Sequence, residues 1–379
     1  MAGIYIHIPF CKQACTYCNF HFSTSLKQKN DLIAALLKEV CLVPLFNGNP
    51  TIETIYFGGG TPSILQPNEL QDIITAICRK FPVADHAEIT LEANPDDISI
   101  QQLAHWKQIG INRLSIGIQS FYERDLVWMN RAHNAQQAAQ SIQLSREAGI
   151  HNISADLIYG IPGLSDGEWH ANVEKLIALK VPHISCYALT VEPSTALHYQ
   201  IRKQQRADMD QEQQAKQFLL LMDWLTHNGY EHYEISNFSL PGHRSRHNSS
   251  YWLGKPYYGF GPAAHSFDGV HTRSWNVANN SRYIKALAAD TIPREKEILT
   301  ETQQLNEYIM TALRTTEGVD LGHVEHQFGN SYKENVLRSA TTYLPARLLL
   351  QDNFLKLTRE GKLFADGIAA GLFQDENSI

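Results

Sequence analysis

Ile4-Tyr5-Ile6-His7-Ile8-Pro9-Phe10-Cys11-Lys12-Gln13-Ala14-Cys15-Thr16-Tyr17-Cys18 runs from a short apolar segment straight into three cysteines spaced CxxxCxxC. Thiolates are soft ligands and suit iron–sulfur clusters. A 4Fe-4S cube ligated by three cysteines keeps one iron open for a ligand that is not protein, which favours chemistry over simple electron transfer. The rival reading is a structural zinc site made from the same cysteines with His7 or His21. Zinc sites usually need a second ligand pair, and the remaining cysteines, Cys41, Cys78 and Cys186, are isolated.

Forty residues on, Gly58-Gly59-Gly60-Thr61-Pro62 ends the strand-like run Ile52–Phe57. Glycines after a strand let the backbone approach a ligand with no Cβ in the way. Strand-like runs recur at Glu88–Ala93, Arg113–Ile118, Ile153–Tyr159 and His183–Leu189, and they read as near-continuous apolar runs. That pattern fits a parallel sheet covered by helices. Helical segments fall between them. Pro67 opens one, Ser99 caps a second, Ser165 and Glu168 form a capping box, and Gly110, Gly149 and Asn228-Gly229 mark helix ends. The expected fold class is α/β, a six-repeat partial barrel with functional residues at the C-terminal ends of its strands.

Past Gly229 the pattern changes. Residues 230–267 are rich in aromatics, His, Gly and Asn. Thr300–Arg314 reads as a helix, and Thr358–Lys362 as a turn between two short strands. The expected division is 1–230 for the barrel, 231–285 for a site-closing extension, and 286–379 for a small helical, winged-helix-like domain.

Among 379 residues the net charge is −7, which argues against a general nucleic-acid binder. Six cysteines in this length do not make a disulfide scaffold. The start, Met1-Ala2-Gly3, lacks the features of a signal peptide, and no apolar run is long enough to span a membrane. The acidic end before Ile379 carries no lipidation motif. A cytoplasmic location is expected.

At strand ends stand Glu92, Gln119 and Asp156, with Arg131 nearby in sequence. Glu92 is placed to accept hydrogen bonds from ribose hydroxyls or simply to be an exposed acid. Asp156 inside an apolar strand needs a partner, either a ligand or Arg131 in a structural ion pair.

The cysteine triad and the glycine loop together resemble the radical S-adenosylmethionine (SAM) superfamily. The stretches IYIHIPFCKQACTYCNF, YFGGGTPS, LEANPDD, LSIGIQSF, DLIYGIPG and HNSSYW resemble one branch of it. That branch holds the oxygen-independent coproporphyrinogen III dehydrogenases and their relatives, the heme chaperones. The resemblance implies a 4Fe-4S cluster on Cys11, Cys15 and Cys18, with SAM chelated to the open iron and cleaved to a 5′-deoxyadenosyl radical. It implies that Tyr5 contacts the methionyl part, the backbone around Tyr17 the adenine, and Gly59, Gly60, Thr61 and Glu92 the rest of SAM. Gln119, Arg131, Asp156 and Ala188 match positions that hold a second SAM in the dehydrogenases. The loop Gly259–His265 is expected to close the site.

Two features separate the branches. The dehydrogenase pattern is CxxxCxxCxC, but here the fourth position is Phe20. His247-Asn248-Ser249-Ser250-Tyr251-Trp252 matches the HNxxYW motif of the heme chaperones. Neutral imidazole ligates heme iron, so His247 is the expected ligand, in a loop over the barrel mouth, with His265 or His243 next in line. Tyr251 and Trp252 are expected to cover the macrocycle. The implied function is a carrier that binds heme and hands it to recipient hemoproteins such as membrane respiratory enzymes. The alternative is the dehydrogenase itself, an oxidative decarboxylase of heme biosynthesis.

Overall fold

The computed structural model describes residues 1–375, and the acidic end at 376–379 lies outside the described residues. Six strands, β1 (Ala2–Ile8), β2 (Ile52–Gly59), β3 (Val83–Ala93), β4 (Arg113–Gln119), β5 (Asn152–Tyr159) and β6 (His183–Ala188), lie parallel and in sequence order. Helices α1 (Lys29–Leu42), α2 (Pro67–Lys80), α3 (Ile100–Gln108), α4 (Glu123–Met129), α5 (Ala135–Glu147) and α6 (Asp166–Ala178) fill the crossovers, and α7 (Ala196–Arg202) and α8 (Gln211–His227) follow β6. The expected punctuation is present. Gln66 and Glu69 box the start of α2 around Pro67, Ser99 caps α3, and Ser165 and Glu168 box α6. The result is the six-repeat α/β barrel.

The strands are not the near-continuous apolar runs that the sequence suggests. They alternate, because the two faces meet different surroundings. Ile4, Ile6, Ile8, Ile55, Phe57, Leu91, Leu114 and Ile116 pack outward against Leu36, Ile73 and Trp106 in one apolar core. Each such side chain stabilises the fold by roughly 1.5–3 kcal/mol. The intervening positions turn inward and are polar: Thr54, Tyr56, Glu88, Thr90, Glu92, Arg113, Ser115, Ser154, Asp156, His183 and Ser185. Every one of them is at least partly buried, so the barrel has a hydrophilic interior within an apolar shell.

Residues 231–285 do not form a single site-closing extension. They extend the sheet at both ends and close the barrel floor. A hairpin of β7 (Glu231–Glu234) and β8 (Asn237–Ser239) adds antiparallel to β6. Because β8 runs down toward the start of β6, the following helix α9 (Arg246–Trp252) sits at the N-terminal ends of the strands. Strand β9 (Tyr257–Phe260) then rises parallel to β1 on its open edge. Strands β10 (His265–Phe267), β11 (Thr272–Asn276) and, after α10 (Asn280–Ala288), β12 (Arg294–Ile298) continue the sheet to twelve strands. Strand β12 belongs to this sheet, so the boundary expected at 285/286 falls instead after Ile298.

The C-terminal unit has its own core of Leu305, Ile309, Val324, Val336, Leu355 and Ile368. It comprises α11 (Glu301–Leu313), β13 (Val319–Asp320), α12 (Leu321–Phe328), α13 (Asn330–Ala340), β14 (Leu348–Gln351), β15 (Phe354–Leu357) and α14 (Ala365–Leu372), with sheet order β13-β15-β14. Helices packed on a small three-stranded sheet give the winged-helix-like form. The hairpin turn is Asp352-Asn353, both at positive φ of 51° and 68°, rather than the expected Thr358–Lys362. That later segment starts a short 3-10 helix at Gly361.

Candidate functional site: a cysteine-rimmed cavity at the barrel mouth

The loop after β1 is held in place by backbone contacts. Gly60 N donates to Ile8 O at 2.9 Å, and Thr61 N to Phe10 O at 2.7 Å. A Cβ on Gly60 would come within 2.7 Å of Phe10 O, and one on Gly59, at φ +108°, within 2.6 Å of the His7 ring. The glycines are therefore needed to seat the cysteine loop against β2. The far side of that loop is tied to the end of α4. Asn130 Nδ2 donates to Ala14 O at 2.7 Å, and Thr16 N to Met129 O at 3.1 Å.

Cys11, Cys15 and Cys18 line one cavity of about 410 Å³ with Gly59, Gly60 and Thr61. Tyr17, Glu92, Gln119, Arg131, Asp156 and Ala188 line the same cavity. Residues from Cys11 to Ala188 thus meet at the C-terminal ends of the strands, in a volume typical of small-molecule sites. Two of the sulfurs accept hydrogen bonds, Cys15 from Arg131 Nη1 at 3.3 Å and Cys11 from Thr61 Oγ1 at 3.5 Å. Arg131 also donates to Asn94 Oδ1 at 2.7 Å and Gly117 O at 3.0 Å. Asn94 Nδ2 donates in turn to Thr61 at 3.5 Å, which links the two sulfur donors. The sequence alone does not single out Asn94, although it lies within LEANPDD. Asp156 does not pair with Arg131; Ser115 Oγ donates to it at 3.4 Å.

Glu92 accepts from Tyr56 Oη at 2.8 Å. Burial first, and the charge of Asp156 after it, push its carboxyl up to about 7. Burial likewise pushes Asp156 up to about 6. Both acids face the cavity with acceptor capacity to spare.

Tyr5 is not among the cavity-lining residues. It lies one layer down, hydrogen-bonded to His7 Nδ1 at 3.2 Å and stacked on Tyr56. His7 and His21, the ligands of the zinc alternative, are also absent from the lining. Burial lowers His7 to about 4. Its Nε2 bonds His21 O at 2.8 Å, and His21 Nε2 bonds Asn280 Oδ1 at 2.8 Å. Phe20 is 67% exposed and stands at the rim with Phe22 and Tyr187.

The expected placement of the HNxxYW motif is overturned. His247 is 1% exposed and lies in the barrel floor beside Gly3, not in a loop over the mouth. At about 3.3 Å per strand residue, the five steps from Gly3 to Ile8 separate it from the cysteine loop by roughly 16 Å. Both ring nitrogens are engaged, Nδ1 with Thr54 Oγ1 at 2.8 Å and Nε2 with Tyr251 Oη at 2.9 Å. Trp252 is covered by the Arg314 guanidinium, 5.4 Å from its ring centroid. His265 is exposed on β10, stacks on Trp275 and lies outside the cavity lining. The physical reason for the misplacement is chain direction: the antiparallel β8 delivers α9 to the bottom of the barrel.

Residues 5–176 match the radical SAM superfamily model, and residues 299–364 match the HemN C-terminal domain. Heme chaperone HemW of Bacillus subtilis is 34% identical, over 97% of this chain and 98% of that protein. The chain belongs to the HemW family of radical SAM proteins. Heme chaperone HemW of Escherichia coli is 30% identical, over 97% and 96% of the two chains. In fold, coproporphyrinogen III oxidase (HemN) from Escherichia coli, a radical SAM enzyme, superposes with a TM-score of 0.83 at 20% identity, covering 98% of this chain and 90% of that one.

Membership of the superfamily implies a 4Fe-4S cluster and SAM. The residues present fit both. Three thiols share one cavity, two of them already accept hydrogen bonds, and an arginine with a buried, unpartnered Nε stands beside them. That cation balances thiolate charge, and such donors tune a cluster's potential.

Proposed function

We propose that this protein is a heme carrier. It holds heme at the barrel mouth, above a SAM-coordinated 4Fe-4S cluster, and passes it to recipient hemoproteins, including respiratory enzymes of the membrane. Phe20 is the observation that carries this reading. Where the dehydrogenase pattern has a fourth cysteine, this chain presents an exposed apolar ring at the cavity rim. Phe cannot ligate iron or move a proton, but with Phe22 and Tyr187 it offers flat apolar surface to a macrocycle. A cavity of about 410 Å³ suits a nucleoside-sized ligand, which leaves the larger heme to the rim. The names of the HemW relatives support the same reading.

Cys11, Cys15 and Cys18 would hold the cluster, with Arg131 beside Cys15, and Gly59, Gly60, Thr61 and Glu92 would hold SAM, with Gln119, Asp156 and Ala188 lining the same cavity. The group bound there supplies one-electron chemistry at the open iron. The chain's own part is to seat the cysteine loop, donate to its sulfurs and present two carboxyls to the ligand. The setting we propose is the cytoplasm. Among the described residues no helix is long and apolar enough to cross a membrane.

The completeness of the SAM cavity favours a second reading, the coproporphyrinogen III dehydrogenase. Anaerobic incubation of reconstituted protein with heme, and separately with coproporphyrinogen III, SAM and a one-electron reductant, decides between them. The carrier reading expects a shifted heme absorbance, weakened by Phe20→Ala, and no protoporphyrinogen. Turnover of coproporphyrinogen III would return the enzyme.

A further inference from the structure

His247 occupies a position that a heme ligand could not use without unpacking the barrel floor, and its surroundings define another task. Its backbone N–H donates to the buried Glu88 carboxylate at 3.1 Å, which fixes the first turn of α9. Its ring plane is fixed at both ends by Thr54 and Tyr251. The ring then lies against Tyr56, with centroids 4.9 Å apart and planes 21° from parallel. Tyr56 is the residue whose hydroxyl donates to Glu92 at 2.8 Å. Gly58 makes the arrangement possible. A Cβ there would come within 2.9 Å of the Tyr5 and Tyr56 rings and 3.0 Å of Glu92 Oε1.

We propose that His247 is a positioning residue for the cofactor carboxylate: it holds Tyr56 in the orientation that donates to Glu92, so the HNxxYW motif acts on the SAM site from beneath. Imidazole suits the task because it combines a flat face for stacking with a polar atom at each end. Alanine would remove the nearer of the two rings stacked on Tyr56, the other being Tyr5, and leave the Thr54 and Tyr251 hydroxyls without the imidazole. The proposal rests on Glu92 being a SAM contact, as in the function proposed above.

A double-mutant cycle on reconstituted protein tests it, with SAM affinity read by calorimetry. Glu92→Ala checks the underlying reading. If Glu92→Ala leaves SAM affinity unchanged, the SAM pocket itself is misassigned. Given a loss there, Tyr56→Phe and His247→Ala are each expected to weaken SAM about tenfold, the scale of one hydrogen bond to a charged group. The double variant is expected to lose about tenfold as well, not a hundredfold, because both changes break the same link. On the cofactor-free chain, His247→Ala should alter the near-ultraviolet tyrosine spectrum, and this difference should shrink in a Tyr56→Phe background to the part that comes from Tyr251, whose hydroxyl His247 also holds. Unchanged SAM affinity in His247→Ala, or losses that multiply, overturns the proposal. Should His247→Ala not fold, Tyr251→Phe takes its place in the cycle, with the same two outcomes.

Discussion

The guanidinium of Arg131 donates to the sulfur of Cys15 across 3.3 Å, although 116 residues separate them in sequence. A positive charge beside a cluster sulfur stabilises the reduced, more negative state. Arg131→Met is therefore expected to lower the cluster's reduction potential by about 60 mV or more, the one-electron equivalent of about 1.4 kcal/mol. A redox titration followed by electron paramagnetic resonance measures it, and an unmoved midpoint would remove Arg131 from this role.

The cluster should depend on Cys11, Cys15 and Cys18 alone. Cys41 and Cys78 are exposed, and Cys186 is buried in the apolar shell. The combined variant Cys41→Ser, Cys78→Ser, Cys186→Ala is expected to reconstitute with iron and sulfide close to wild type. Cys15→Ala is expected to take up little of either.

Glu92 gives a pH dependence with a definite sign. Its folded carboxyl sits at about 7 against an ordinary 4.5. Between those values the folded chain holds a proton that the unfolded chain has released, so stability falls as pH rises through this window. Glu92→Gln should remove that slope. Thermal midpoints of the cofactor-free protein from pH 4.5 to 7 are expected to show the variant gaining on wild type as pH rises. Parallel curves would contradict the burial of this acid.

Glu39, fully buried on α1, accepts from Gly261 N at 2.9 Å, Asn276 Nδ2 at 2.6 Å, Tyr283 Oη at 2.6 Å and Arg294 Nη2 at 3.0 Å. It fastens the added strands and the loop after β9 to the barrel. Glu39→Ala leaves Arg294 without its carboxylate and should cost about 3–5 kcal/mol in chemical denaturation.

The parts of this molecule that sequence makes legible are those that local chemistry decides. The six barrel strands and the capped helices α2, α3 and α6 follow from apolar runs and capping residues within a few positions of each other. The cysteine and glycine loops follow from spacing. Helix α9 was hidden because His, Asn, Ser and Tyr are indifferent helix formers, and its one local signal is Ser245, which caps Asn248 N at 3.3 Å. The depth of His247 was hidden for a different reason. It depends on the direction of β8, a tertiary fact. The turn at Asp352-Asn353 carries a readable signal, two residues that tolerate positive φ, but Gly361 a few positions later offers a competing one. Arg131 could be named from the sequence and Asn94 could not, and the contact of Arg131 with Cys15, held by Asn94, depends on how the ends of β3 and α4 meet.

Strand β1 is flanked by β2 on one side and by β9 on the other, and Gly3 is paired with Tyr257, 254 positions later. During synthesis the cysteine loop emerges among the first residues, yet its supporting strand keeps an unsatisfied edge until most of the chain has been made. Such a distant partner makes closure a late and slow event in folding. The growing chain therefore carries its cysteine loop on a strand with one open edge until Tyr257–Phe260 has been made.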